Sequence, residues 1–244
     1  MAEVTRSRPA FYALASGGWR DYWTLLHPPY TAWHLSYVVF GAVVAQEFDG
    51  RRLGATVLAF FFGVGLTAHA LDELSGRPLR TRISTRVLQA IAGFGLVGAV
   101  ALGVLGAVEV SWWLVAFVAF GAFIVVAYNL ELFGGRFHSD VWFAGAWGAF
   151  PALTAYFAQA ETIRLEAVLV ASACFLLSVA QRRLSTPVRD LRRRIARVSG
   201  QMEFADGRVV DIDETLLRST PETALRALAG ALSLLALGLA LLRL

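Results

Sequence analysis

The sequence predicts an all-α, multi-pass transmembrane helical bundle of about seven spans, folded as a single membrane domain over residues 1–244. Three observations carry that expectation. Hydrophobic residues make up 57% of the chain, and mean hydropathy is +0.59. Charged residues make up only 16%, whereas a soluble domain holds about 25%. Apolar runs of roughly 20 residues, enough to cross about 30 Å of hydrocarbon, recur at 30–47, 53–71, 86–108, 110–130, 141–159, 163–181 and 222–242. Each run must be helical, because lipid offers the backbone no hydrogen-bond partner.

The elements follow in order. Met1 to Asp21 lacks the short apolar core of a cleavable signal peptide, so the first span is expected to remain as an anchor. Trp19, Tyr22 and Trp23 beside Arg20 and Asp21 predict an interfacial helix over 10–26. His27-Pro28-Pro29 ends it and turns the chain into the membrane, closing a 10–29 segment. Short loops make spans three and four, and spans five and six, antiparallel hairpins. A long polar loop over 182–221 precedes the last span. Its stretch Arg189 to Val198 is basic and amphipathic, suited to anionic lipid headgroups. Asp206-Gly207 between β-type residues predicts a small hairpin over 200–213.

All 22 basic residues are arginine. With seven spans, 18 of them fall on the face that carries the N-terminus and 4 on the other. That asymmetry predicts a multi-pass cell-membrane protein with a cytoplasmic N-terminus and the C-terminus outside. The net charge of +4 therefore reflects topology and does not point to nucleic acid. The single cysteine, Cys174, excludes a disulfide within the chain and a cysteine-built metal site. Gly93-Phe-Gly95-Leu-Val-Gly98 matches a dinucleotide fingerprint by letter. It lies inside an apolar run with no preceding strand, so close helix packing explains it better.

Two polar clusters fall on the cytoplasmic side. His69, Asp72 and Glu73, at the end of span two, have i, i+3, i+4 spacing and share a helix face. Tyr128, Asn129 and Glu131 close span four, and His138 and Asp140 open span five. Oxygen ligands from both clusters suit Mg²⁺, which takes a few carboxylates together with substrate phosphate. The candidate metal ligands are His69, Asp72, Glu73, Glu131 and Asp140. Arg77, Arg80, Arg82 and Arg86 suit a phosphate clamp and equally suit positive-inside topology.

Several of these residues stand in a familiar pattern. Leu26-His27-Pro28-Pro29-Tyr30 precedes an apolar span with Gly41-Ala42. Arg77-Pro78-Leu79-x-Thr81-x-Ile83-Ser84 follows the first polar cluster. Tyr128 and a short basic loop lead to Asp140, and Gly145, Gly148 and Pro151 follow. Over roughly residues 20–160 the chain resembles the UbiA superfamily of intramembrane prenyltransferases. His69 and Gly76 stand where that family's first motif has aspartates, and Asp72 keeps an aspartate position. The resemblance implies Mg²⁺ at the cytoplasmic face and an isoprenoid diphosphate, used either for prenyl transfer to a lipid or aromatic acceptor or for ionisation-driven cyclisation of the terpene-cyclase type. It implies catalytic roles for Asp72, Glu73 and Asp140. Substrate contacts would come from Arg77, Arg80, Arg82, Tyr128 and Asn129. A non-catalytic polyprenyl-lipid-binding or partner-binding protein, or a transporter, stands as the alternative.

Overall fold

The computed structural model describes residues 8–244, and they are predominantly helical with almost no strand. The chain runs through α1 (Trp19–Leu25), α2 (Pro28–Val43), α3 (Gly50–Leu74), α4 (Thr85–Glu109) and α5 (Leu114–Asn129). There follow α6 (140–160), α7 (Leu165–Arg193), a two-stranded hairpin and α8 (Glu214–Arg243). Four helices are each long and apolar enough to cross a membrane: α3, α4, α7 and α8. The remaining three apolar runs also form helices. Two of them, α2 and α5, have 16 residues each, or about 24 Å at 1.5 Å per residue.

Side chains start the helices where the sequence changes character. Asp49 accepts hydrogen bonds from the N–H groups of Arg51 (2.7 Å) and Arg52 (3.2 Å) ahead of α3. Ser84 caps α4, Ser139 caps α6, and Asp213 caps α8 through Leu216 N–H at 2.7 Å. Such caps satisfy backbone donors that a helix leaves free.

α2 is the central helix. It packs on α6, α8 and α3, and Trp33, Tyr37, Val38 and Ala42 on it are completely buried. The approach to α6 is closest at Gly41. A Cβ there would lie 2.0 Å from the carbonyl oxygen of Ala152. α4 approaches α3 in the same manner at Gly95, where a Cβ would meet Thr67 Oγ1 at 2.5 Å. Small residues thus set the interhelical contacts, as expected where lipid removes the hydrophobic drive for association.

Two helices widen into π turns, at Phe61–Ala68 in α3 and Ala144–Ala149 in α6. A π turn displaces backbone carbonyls from their regular partners. Side chains engage carbonyls in both stretches. Thr67 Oγ1 lies 3.0 Å from Phe62 O, and His34 Nδ1 lies 2.9 Å from Trp147 O.

Two segments differ from expectation. The interfacial helix covers only Trp19–Leu25, because Gly17 and Gly18 take positive φ and the chain before them folds inward in turns. Ala13 there is completely buried. The basic stretch after residue 182 largely continues α7 instead of lying along a surface. Arg192 pairs with Glu222 at 2.5 Å and holds the carbonyl of Arg8, while Arg193 holds the carbonyl of Pro9. Those guanidinium groups are turned into the protein, whereas Arg194 and Arg197 of the same stretch are exposed. The hairpin joins β1 (Gln201–Glu203) to β2 (Val209–Asp211), with Gly207 at φ +82 in its turn.

Candidate functional site

α3 ends at Leu74, and the chain reverses through Gly76, Arg77 and Arg80, all at positive φ. Glu73 organises this reversal. Its carboxylate is completely buried and accepts from Leu79 N–H (2.9 Å), Thr81 N–H (2.9 Å) and Thr81 Oγ1–H (2.8 Å). Asp21 of α1 supports the loop from the other side, accepting from Arg82 N–H and Gly17 N–H, both at 3.0 Å. The Arg77 guanidinium donates to Ile83 O (2.5 Å) and Thr85 Oγ1 (3.0 Å). Glu73 and Arg77, expected at a metal and a phosphate, are therefore committed to folding the loop. Arg80 and Arg82 are exposed.

The second cluster is divided in the same way. Asp140 accepts from Arg182 Nε at 2.9 Å. Asn129 donates to Val125 O at 2.7 Å within its own helix. Glu131 is exposed at a left-handed turn. Tyr128 is buried. Its ring stacks on His138 with centroids 4.5 Å apart, and it lies equally close to Trp147.

Asp72 remains uncommitted. Among the described residues no hydrogen bond or ion pair engages its carboxylate. It lies within Coulomb reach of Arg193, Arg189 and His138. Tyr12 and Tyr128 in turn lie within reach of Asp72 and Arg189. His69 stands one helical turn before Asp72, its ring stacked on His27 at 4.1 Å and 14°. Tyr12 covers His27 at 5.3 Å. Burial, and then His69, Arg193, Arg189 and His34, push the His27 imidazole well below its ordinary range. Burial followed by Tyr30 pushes the Tyr12 phenol up. Both side chains are consequently neutral near pH 7.

The cluster thus gathers three guanidinium groups, of Arg182, Arg189 and Arg193, around two carboxylates, of Asp72 and Asp140. Two buried polar atoms, His27 Nε2 and Tyr128 Oη, have no hydrogen-bond partner. Buried polar atoms rarely stay unsatisfied in a folded protein, so each of these two has hydrogen-bonding capacity left for a further polar partner.

Arg182, Arg189 and Arg193 are the residues that sequence reasoning assigned to a surface. Their spacing carried the signal. Steps of seven and eleven residues return to the same helix face within about 20° at 3.6 residues per turn.

The expected Mg²⁺ can be tested against these donors. Among the described residues no group of three His, Cys, Asp or Glu side chains is placed to hold a metal ion. Of the five candidate ligands, Glu73 and Asp140 have other partners, Glu131 faces solvent, and His69 Nδ1 lies 3.2 Å from Gly65 O. Asp72 alone does not make a magnesium site, so the residues present do not fit a protein-held ion.

Beyond the aromatic layer of Tyr128, Phe143 and Trp147 lies a cavity of about 530 Å³ among α3, α4, α5 and α6. Val64, Leu96, Val100, Phe117, Ile124 and Phe150 give it apolar walls. Asp49, Arg51, Arg52 and Glu109 stand at the end farther from the arginine cluster. No family model matches the chain, and neither does any curated protein or solved structure.

Proposed function

We propose that this is a seven-span, UbiA-like protein of the cell membrane that binds an isoprenoid diphosphate. The headgroup sits in the cluster of Arg182, Arg189 and Arg193, and the chain lies in the apolar cavity beyond Trp147. The observation that carries the reading is the pairing of a partly buried cationic cluster with an apolar cavity across one aromatic layer. Guanidinium groups suit phosphate because their donors match its oxygens in pairs. The cavity suits a hydrocarbon chain of prenyl size.

Prenyl transfer is the second reading, and the aromatic layer favours it. Ionisation of an allylic diphosphate leaves negative charge on the leaving group, which the arginines would stabilise. The allylic cation would face the rings of Tyr128, Trp147 and Phe143, away from water. A lipid or aromatic acceptor would then complete the reaction.

The test is binding of geranylgeranyl diphosphate and inorganic diphosphate to the protein in nanodiscs. The lipid is expected to bind at least about 100-fold more tightly, since each buried CH₂ contributes about 0.8 kcal/mol. Ala122→Phe, which fills the cavity, should reduce that advantage and leave inorganic diphosphate binding as it was. Equal affinity for the two ligands would remove the cavity from the reading. Diphosphate release in the presence of an acceptor extract decides for transfer, and its absence decides for binding alone.

The orientation has its own expected result. Reporter fusions after residues 50, 109, 160 and 244 should mark the outer face, since 18 arginines lie on the opposite one. Translocation of a fusion near residue 80 or 205 would overturn the seven-span arrangement.

A further inference from the structure

We infer that Arg189 and Arg193 bind the diphosphate directly, carrying the counter-charge that a metal ion would otherwise supply, so that binding needs no divalent cation. This rests on the reading above and goes beyond it.

The donor set is the first argument. Two of the carboxylates expected to hold a metal are taken: Glu73 by the N–H groups of Leu79 and Thr81, and Asp140 by Arg182. Of the other two, Glu131 faces solvent and Asp72 faces cations. An anion entering beside it therefore needs positive charge from the protein, and α7 supplies it.

The arginines themselves are the second argument. Arg192 and Arg218 face Glu222, and Arg194 pairs with Asp190. Arg189 pairs with no carboxylate among the described residues; its guanidinium donates to Thr186 Oγ1 at 3.2 Å. Arg193 donates Nε to Pro9 O at 3.0 Å and is likewise without a carboxylate partner. Both groups are partly buried. Water screens them less than it screens a surface arginine, so each attracts an anion more strongly.

The third argument is independent of charge. Tyr128 Oη and His27 Nε2 are buried without partners among the described residues. Both lie within Coulomb reach of Arg189. A tetrahedral phosphate presents several acceptor oxygens at once. Tyr128 can donate to one, and His27 can donate in the Nε2–H tautomer. The four groups come from three places in the chain: α5, α7 and the turn between α1 and α2. No short sequence motif contains them.

The experiment measures binding of inorganic diphosphate and of geranylgeranyl diphosphate to the full chain in nanodiscs. Each ligand is tested with Mg²⁺ and with EDTA. Wild type should change by less than about twofold between the two conditions, because the charged hydrogen bonds come from arginine. Arg189→Gln should weaken both ligands by about tenfold or more, and Arg189→Lys should recover part of the loss. Arg183→Gln, on the exposed side of the same helix, should bind as wild type does. A helical circular-dichroism melt of each variant confirms that it is folded. Tight lipid binding that is lost in EDTA and indifferent to Arg189→Gln would overturn this inference and leave the lipid-binding reading standing. Loss in Arg80→Gln with none in Arg189→Gln would move the anion to the 77–82 loop and also overturn it. Absence of lipid binding under every condition would overturn both.

Discussion

Glu73→Ala is expected to destabilise the fold by about 3–6 kcal/mol, since each unsatisfied buried donor costs about 1–3 kcal/mol. Glu73 is completely buried, and both its oxygens accept bonds from the 79–81 turn. Alanine would strand the N–H groups of Leu79 and Thr81 and the Thr81 hydroxyl. It would also release the strained conformations at Arg77 and Arg80 that those bonds enforce. Gln at this position keeps one acceptor but sets an NH₂ group against a donor, so its loss should be intermediate. Asp72→Asn, one residue away, should barely move the melting temperature, because no hydrogen bond holds that carboxylate. Thermal unfolding in detergent, followed by helical circular dichroism, checks the series. If Glu73→Ala and Asp72→Asn melted together, Glu73 would not anchor the loop.

Gly41→Ala should cost at least about 3 kcal/mol, the upper end of ordinary overpacking penalties. The added carbon would stand 2.0 Å from Ala152 O, 2.7 Å from its carbonyl carbon and 2.8 Å from its Cα. All three are backbone atoms, so no side chain can swing aside. α2 and α6 must separate, and the His34–Trp147 contact between the same helices would stretch with them. The aromatic layer above the cavity would loosen, so lipid affinity should fall together with stability. Gly93→Ala is the control. A Cβ at Gly93 meets nothing within 4 Å, and alanine there should be neutral or stabilising by up to about 1 kcal/mol. Equal losses at the two positions would mean that general helix perturbation, and not the α2–α6 contact, sets the cost.

Composition and hydropathy determined where the helices lie. The runs read at 86–108 and 222–242 became Thr85–Glu109 and Glu214–Arg243, because an apolar run of that length has one low-energy backbone solution in lipid. The hairpin around Asp206-Gly207 was legible for a similarly local reason: its turn needs the positive φ that glycine takes without cost. His69, Asp72 and Tyr128 were legible as polar residues at helix ends, and the structure brings them to one end of the bundle. What the tertiary structure alone decided is which polar groups are free. Asp72 and Glu73 are adjacent and chemically alike. Yet one is enclosed by the N–H groups of a loop and the other faces arginines more than 100 residues away. No local pattern separates them, because a carboxylate's partners are set by what packs above it. The same reason hid Arg189 and Arg193. A run of arginines beside an apolar span looks alike in sequence whether it faces headgroups or turns inward. Only the packing of α7 against its neighbours turned that face toward Asp72.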